Sequence, residues 1–405
     1  MMAAAVSSSK VGLALAGGGP VGGIYEVGAL AALAESLDGA DINEFDYFVG
    51  VSSGGFVAAA LANGLRPETL ARMLVENDTD EVFDPEMLLR PAFGEYFKRA
   101  LSVPPLLWSS LRHYLSDPWH LGLFESFQRL SYVLPAGFFD NSGIDELLRK
   151  LFSTSGRSND FRQLRHKLFL VATDLDSGDS VAFGTAGHDD VPISLAVQAS
   201  AALPGLFPPV KIGGHYYVDG ALIKTLHASV ALREGADLVI CINPLVPFDS
   251  ALAFKQPHHD DSVRRPEHLV DGGLPVVLSQ TFRAIIHSRM QIGMARYRHE
   301  YENSDVVLFE PKRDDAEMFF TNVFSYRSRS RLCEHAYQRT RSDLYRRRHE
   351  LSPIFARHGM HLNIPLLRDH SRSLLSDKRS PDLMSTAAAL DSSLHNLECW
   401  LASQA

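Results

Sequence analysis

This sequence predicts an α/β fold built on a mostly parallel central sheet. Three observations carry the prediction. Short apolar runs bounded by turn residues alternate with segments of helical period. The first two runs are separated by one helix, which makes them parallel strands joined by a right-handed crossover. And 405 residues at 45% hydrophobic and 21% charged form an ordinary globular composition, able to bury a core.

Taken in order, residues 11–16 are an apolar run that ends in glycines and read as a buried strand. Over 21–37, Ile24, Val27, Leu30, Leu33 and Leu37 recur at helical spacing. Residues 45–51 are a second strand, and 54–63 an Ala-rich helix stopped by Asn63-Gly64. Residues 79–136 differ: prolines 85, 91, 104, 105 and 118 interrupt a stretch rich in leucine with Trp108 and Trp119. This reads as a helical cap insertion of short, broken helices, suited equally to an interface or to core packing. A helix resumes at 144–151, and 167–173 is a strand followed by the turn Asp174-Leu-Asp-Ser-Gly-Asp179 and a return strand Ser180–Phe183. Ile193–Ser200 is helical, 216–218 and Leu238–Ile242 are strands, and 253–274 is a polar surface loop. A long helix over 276–302 leads into the strand Asp305–Phe309. The organisation is thus a main domain over 1–312, an Arg-rich helical extension over 313–368, and a mobile linker with a terminal helix over 369–405. Arg327 to Arg348 read mainly as a solvated helix face. Leu390, Leu394, Leu397 and Leu401 form a terminal stripe that suits a second chain, hence a homo-oligomer, or its own domain.

The totals exclude several classes. A formal net charge of −9 argues against nucleic acid. Cys241, Cys333 and Cys399 have no paired spacing, which fits a reducing compartment and no Cys-rich metal site. The first ten residues lack a charged n-region and apolar h-region, and no run reaches about 18 uninterrupted apolar residues. The expectation is a cytoplasmic protein, peripheral at most to a membrane. His258, His259, Asp260 and Asp261 have metal-ligand chemistry but sit consecutively on a polar loop, so solvent is their expected partner and no metal or cofactor is expected.

The loop after the first strand, Gly17-Gly-Gly-Pro-Val-Gly22, satisfies G-x-G-x-x-G, a weak dinucleotide signal taken alone. A dinucleotide fold needs an acid at the end of its second strand. That strand ends instead in Gly50-Val-Ser-Ser-Gly54, a G-x-S-x-G at a strand-to-helix turn with Ser52 at its apex. Neighbouring strands lie about 4.8 Å apart, so the amides of Gly17, Gly18 and Gly19 would sit beside the Ser52 hydroxyl. There they suit an oxyanion, each donor worth roughly 3–4 kcal/mol. Gly50 and Gly54 permit the tight turn, and Gly22 and Gly220 support close backbone approach. The best carboxylate is Asp219, which ends an apolar strand and precedes Gly220; a rival D-G-G stands at Asp271-Gly272-Gly273 ahead of a helix. None of the 17 histidines, His215 and His227 beside Asp219 included, sits in a motif.

These motifs resemble the patatin-like phospholipase family over roughly residues 10–245. The resemblance rests on Gly17-Gly-Gly-Pro-Val-Gly22, Gly50-Val-Ser-Ser-Gly54, Asp219-Gly-Ala221 and Ala199-Ser-Ala-Ala-Leu-Pro204. It implies a three-layer α/β/α fold, hydrolysis of lipid acyl esters by a Ser52–Asp219 dyad without histidine or metal, and a lipid ester as partner. The family often has Arg or Lys where Val21 stands. The competing expectations are a non-catalytic lipid- or partner-binding module on the same fold and a nucleotide-binding protein.

Overall fold

The computed structural model describes residues 9–75, 136–224, 226–253, 268–322 and 325–375. The cap over 79–135, His258 to Asp261, Cys399 and the terminal leucine stripe lie outside the described residues.

The main sheet has eight strands: β1 (Val11–Leu15), β3 (Tyr47–Val51), β4 (Lys167–Asp174), β5 (Ser180–Phe183), β6 (Val210–Ile212), β7 (His215–Asp219), β8 (Leu238–Ile242) and β9 (Asp305–Phe309). Their spatial order is β6-β7-β4-β3-β1-β8-β9, with β5 also paired to β4. The four central pairings from β4 through β9 are parallel, whereas β5, β6 and β7 form an antiparallel flank. A separate two-stranded ribbon pairs β2 (Leu37–Asp38) with β10 (His361–Leu362).

Helices cover both faces, because side chains alternate across each strand. Leu13, Leu15 and Phe48 point to one side, where α1 (Gly19–Ser36), α2 (Ser53–Ala62) and α3 (Pro67–Val75) bury them. Ala14, Val49, Val51 and Val171 point to the other, against later helices. In chain order these further helices are α4 (Ser142–Phe152), α5 (Ile193–Ser200), α6 (Ala228–Arg233), the short α7 (Ser250–Ala253) and α8 (Gly273–Glu300). They are followed by α9 (Ala316–Phe320), α10 (Tyr326–Arg346), α11 (Arg348–Arg357) and α12 (Ile364–Arg368). α6 and α8 cover the second face through Val230, Leu232, Met290 and Tyr297. The result is the three-layer α/β/α arrangement that the resemblance implies.

The Arg-rich segment is not simply a solvated face. α10 lies directly on α1, where a Cβ on Gly28 would stand 2.3 Å from the Cys333 carbonyl oxygen, so only glycine admits the approach. Arg329 is buried and donates to the Leu74 carbonyl at 3.0 Å. Arg341 is buried too and donates to the carbonyls of Leu366 and Asp369. Arg327, Arg339 and Arg346 are the exposed members. Arginine serves here as a cross-tie between backbone segments, using several donors at once.

The register of β1 with β3 pairs Leu15 with Gly50. The loops that leave these strands therefore emerge side by side at the C-terminal rim of the sheet, the customary place for a site in a parallel sheet.

Candidate active site

Ser52 sits between β3 and α2 with φ 54° and ψ −123°. It has the only positive φ of any non-glycine among the described residues. A conformation of that kind costs about 1–3 kcal/mol and persists only where its surroundings enforce it. The enforcement is visible. The Ser52 amide donates to Ser200 Oγ at 2.9 Å, and Ser200 Oγ donates in turn to the Val171 carbonyl at 2.6 Å. The Ser52 carbonyl accepts from the amides of Gly55 and Phe56, opening α2. Gly54 rests on β1, where a Cβ would meet the Ala16 carbonyl oxygen at 2.5 Å, and Gly50 packs against Gly54 in the same way.

Ser200 belongs to the Ala199–Pro204 stretch, and its bridging role could not be read from the sequence. Its partners are 148 and 29 residues away in the chain. Ser200→Ala would leave the buried Ser52 amide without an acceptor. The expected loss is about 1–3 kcal/mol of stability, read as a lower midpoint in thermal or denaturant unfolding. An unchanged midpoint would show that the turn holds itself.

Asp219 ends β7 opposite Ala172 of β4 and is 3% exposed. Its Oδ1 accepts from the Ala221 amide at 2.8 Å, and it lines the same cavity as Ser52. Burial pushes its pKa up from 3.8 to about 6, against the opposing pull of the Ala221 amide and the Ser52 hydroxyl. Gly220 is required by close approach, since a Cβ there would stand 2.3 Å from the Val171 carbonyl oxygen.

The glycine loop closes the third side. A Cβ on Gly17 would lie 3.0 Å from Ser52 Cβ. Gly18 precedes α1 and Gly19 begins it, with Pro20 in its first turn, so the orphan amides of a helix start face this corner. Gly18 and Gly22 pack against the Pro244 ring. Pro244 is fixed from behind by Arg283 of α8, whose Nη1 donates to the carbonyls of Val246 at 3.3 Å and Pro244 at 3.5 Å. The guanidinium lies 5.1 Å from the Phe319 ring centroid, and burial pushes its pKa down to about 10. No sequence motif marks Pro244 or Arg283. Val21, where the family often carries a cation, packs against the hydrophobic core.

Ser52, Asp219, Gly18 and Gly19 open into a cavity of about 410 Å³. Its walls are otherwise mainly apolar, among them Ile24, Phe56, Val57, Leu74, Val197 and Phe207. Among the described residues no histidine lines it. His227 is buried, and burial lowers its pKa to about 3, which keeps it neutral. His215 is an exposed partner of Asp174. The rival Asp271 is exposed, accepts from the His268 amide and does not line the cavity. Among the described residues no cluster of three or more His, Cys, Asp or Glu is placed to hold a metal.

A mostly parallel sheet with a strained serine turn at its rim and a buried carboxylate lining the same cavity defines an α/β protein with a strand–turn–helix serine elbow. The family follows from the chain itself: the sequence profile described as patatin-like phospholipase matches residues 13–232, more than half of the length, and the protein belongs to that family. An uncharacterized NTE family protein of Mycobacterium tuberculosis is 34% identical over 110 residues, covering 27% of this chain and 15% of that protein. The chain thus spans only a small part of that relative. The cGAMP-activated phospholipase of Pseudomonas aeruginosa is 23% identical over 228 residues, 55% of each chain. Among solved structures, VipD from Legionella pneumophila aligns with a TM-score of 0.32 at 18% identity, covering 62% of this chain and 52% of that one.

Proposed function

We propose that the protein is a lipid acyl hydrolase in which Ser52 is the nucleophile and Asp219 its proton acceptor. The observation that carries the reading is that the strained Ser52 turn and the buried Asp219 carboxylate line the same apolar cavity. Ser52 Oγ attacks the ester carbonyl carbon while its proton passes to Asp219. The carbonyl oxygen becomes an oxyanion beside the amides of Gly17, Gly18 and Gly19, where the starts of α1 and α2 favour negative charge. The tetrahedral intermediate collapses, the C–O bond to the leaving alcohol breaks, and Asp219 returns the proton to that alcohol. Water then attacks the acyl-serine, again with Asp219 as base, and releases the fatty acid. The apolar walls suit an acyl chain and exclude water from the dyad.

An Asp at its ordinary pKa near 3.9 is a poor base at neutral pH. Burial raises Asp219 to about 6, closer to the operating range. The reaction uses the carboxylate form of the free enzyme. The expected kcat/KM is therefore level above about pH 7 and falls about tenfold per pH unit below about pH 6. A profile level down to pH 4 would remove Asp219 as the base.

The reading itself is tested by mass spectrometry of products from a mixed lipid extract, wild type against Ser52→Ala. Free fatty acid and the matching deacylated lipid are expected from the wild type alone. A folded wild type that binds lipid and releases no product would favour a non-catalytic module.

A further inference from the structure

Helix α8 carries an exposed aliphatic line that, among the described residues, neither the fold nor the dyad uses. Leu274, Leu278, Ile285 and Ile292 are spaced by 4, 7 and 7 residues, which places them within about 40° of one another at 3.6 residues per turn. They are 69%, 44%, 51% and 69% exposed. One exposed leucine needs no explanation, but a continuous aliphatic line does.

The opposite side of α8 is fastened to the body. Arg283, Ile286, Met290 and Tyr297 are buried. Gln280 exchanges two hydrogen bonds with the backbone of Phe248, at 3.0 and 2.7 Å. The line therefore faces outward by construction. It also adjoins the cavity: Phe282, one position round the helix, is 41% exposed and lines the pocket with Ser279 and Ile286.

We propose that the Leu274–Leu278–Ile285–Ile292 line of α8 is a docking face for a lipid surface, which sets the pocket mouth against the bilayer while the helix lies along the interface. This rests on the lipid-hydrolase reading above for its purpose, though not for its measurement. Three features select this occupant. From Gly272 to Phe282 the sequence has no charged residue, so insertion of this half desolvates no charge. Arg289, Arg296 and Arg298 follow in the second half, where they can stay at headgroup level. And the face borders the pocket, so an acyl chain can pass from lipid to cavity without crossing water, whereas a second copy seated there would crowd Phe282 at the mouth. The segment Leu269–Glu300 has the length and, at a mean hydropathy of 1.2 over its most apolar 18 residues, the composition of a spanning helix. Its anchoring by Arg283, Ile286, Met290 and Tyr297 makes it a helix that lies on a membrane instead.

The test uses the full chain with Leu274, Leu278, Ile285 and Ile292 all changed to Gln. Binding is measured by co-sedimentation with phosphatidylcholine vesicles, with and without phosphatidylglycerol, in a Ser52→Ala background so that no lipid is consumed. The parent should bind both vesicle types and stay bound at high salt, and the Gln variant should bind at least about tenfold more weakly. With Ser52 intact, the same four changes should lower fatty-acid release from vesicles and leave hydrolysis of a water-soluble short-chain ester within about twofold. Equal vesicle binding by parent and variant, or none by the parent, would overturn the proposal. So would a parent dimer that the variant converts to a monomer, which would assign the face to a second copy. A lower unfolding midpoint with unchanged binding would assign it to the protein's own chain. Failure of the soluble-ester reaction in the wild type would count against the hydrolase reading alone, since vesicle binding is scored without turnover.

Discussion

Ser52→Ala is expected to abolish acyl-ester turnover, by about 10⁴-fold or more, in a protein that remains folded. The size follows from what the side chain does: without Oγ there is no acyl-enzyme, and the oxyanion donors and pocket can assist only direct attack by water. The fold should survive because the turn is held by backbone contacts. Ser200 bonds to the Ser52 amide and the openings of α2 bond to its carbonyl, none of which involves the hydroxyl. Alanine must still accept φ 54°, so a small loss of stability is expected. The check is release of fatty acid from phospholipid and from a soluble ester, with circular dichroism and the unfolding midpoint measured on the same preparation. Residual activity within tenfold of wild type would place the nucleophile elsewhere.

Asp219→Asn is expected to lower kcat by about 10²–10⁴-fold, the range that general-base catalysis supplies. Here stability should move the other way. A carboxyl whose folded pKa, about 6, lies above its unfolded value near 3.9 binds its proton more tightly in the folded state. The stability it contributes is fully present below about pH 4 and is lost as pH rises through about 6. At pH 8 the buried carboxylate therefore burdens the fold by roughly 3 kcal/mol. Asparagine is nearly isosteric, can still accept from the Ala221 amide, and carries no ionisation burden. The variant should melt at or above the wild-type midpoint at pH 8 and lose that advantage near pH 4. A large drop in the midpoint at pH 8 would make Asp219 a structural residue, and wild-type turnover in the variant would remove it from the chemistry.

Much of the fold was legible where a strand is a short apolar run closed by turn residues. Ser180–Phe183, Leu238–Ile242 and Asp305–Phe309 stand where the runs place them, and Ile193–Ser200 is helical over its full predicted span. The juxtaposition of the glycine loop with Ser52 was legible too, because strand–helix–strand leaves little choice of topology. Local pattern failed where partners are distant. β6 is three residues between Pro-Pro and Gly-Gly, too short to show a period, and exists through pairing with β7. The long helix begins at Gly273 instead of 276, since Pro275 is tolerated in a first turn. Arg329 and Arg341 resemble any surface arginine in a polar helix, and their burial depends on Leu74, Leu366 and Asp369. Ser200, Pro244 and Arg283 hold the corner together through contacts that no spacing rule records.

The most direct test is to treat the protein with a fluorophosphonate and map the adduct by peptide mass spectrometry. One phosphonyl group on the peptide that contains Ser52 is expected, formed more slowly in Asp219→Asn and absent from Ser52→Ala. A protein that cleaves lipid esters while carrying its adduct on another residue, or none at all, would contradict the account.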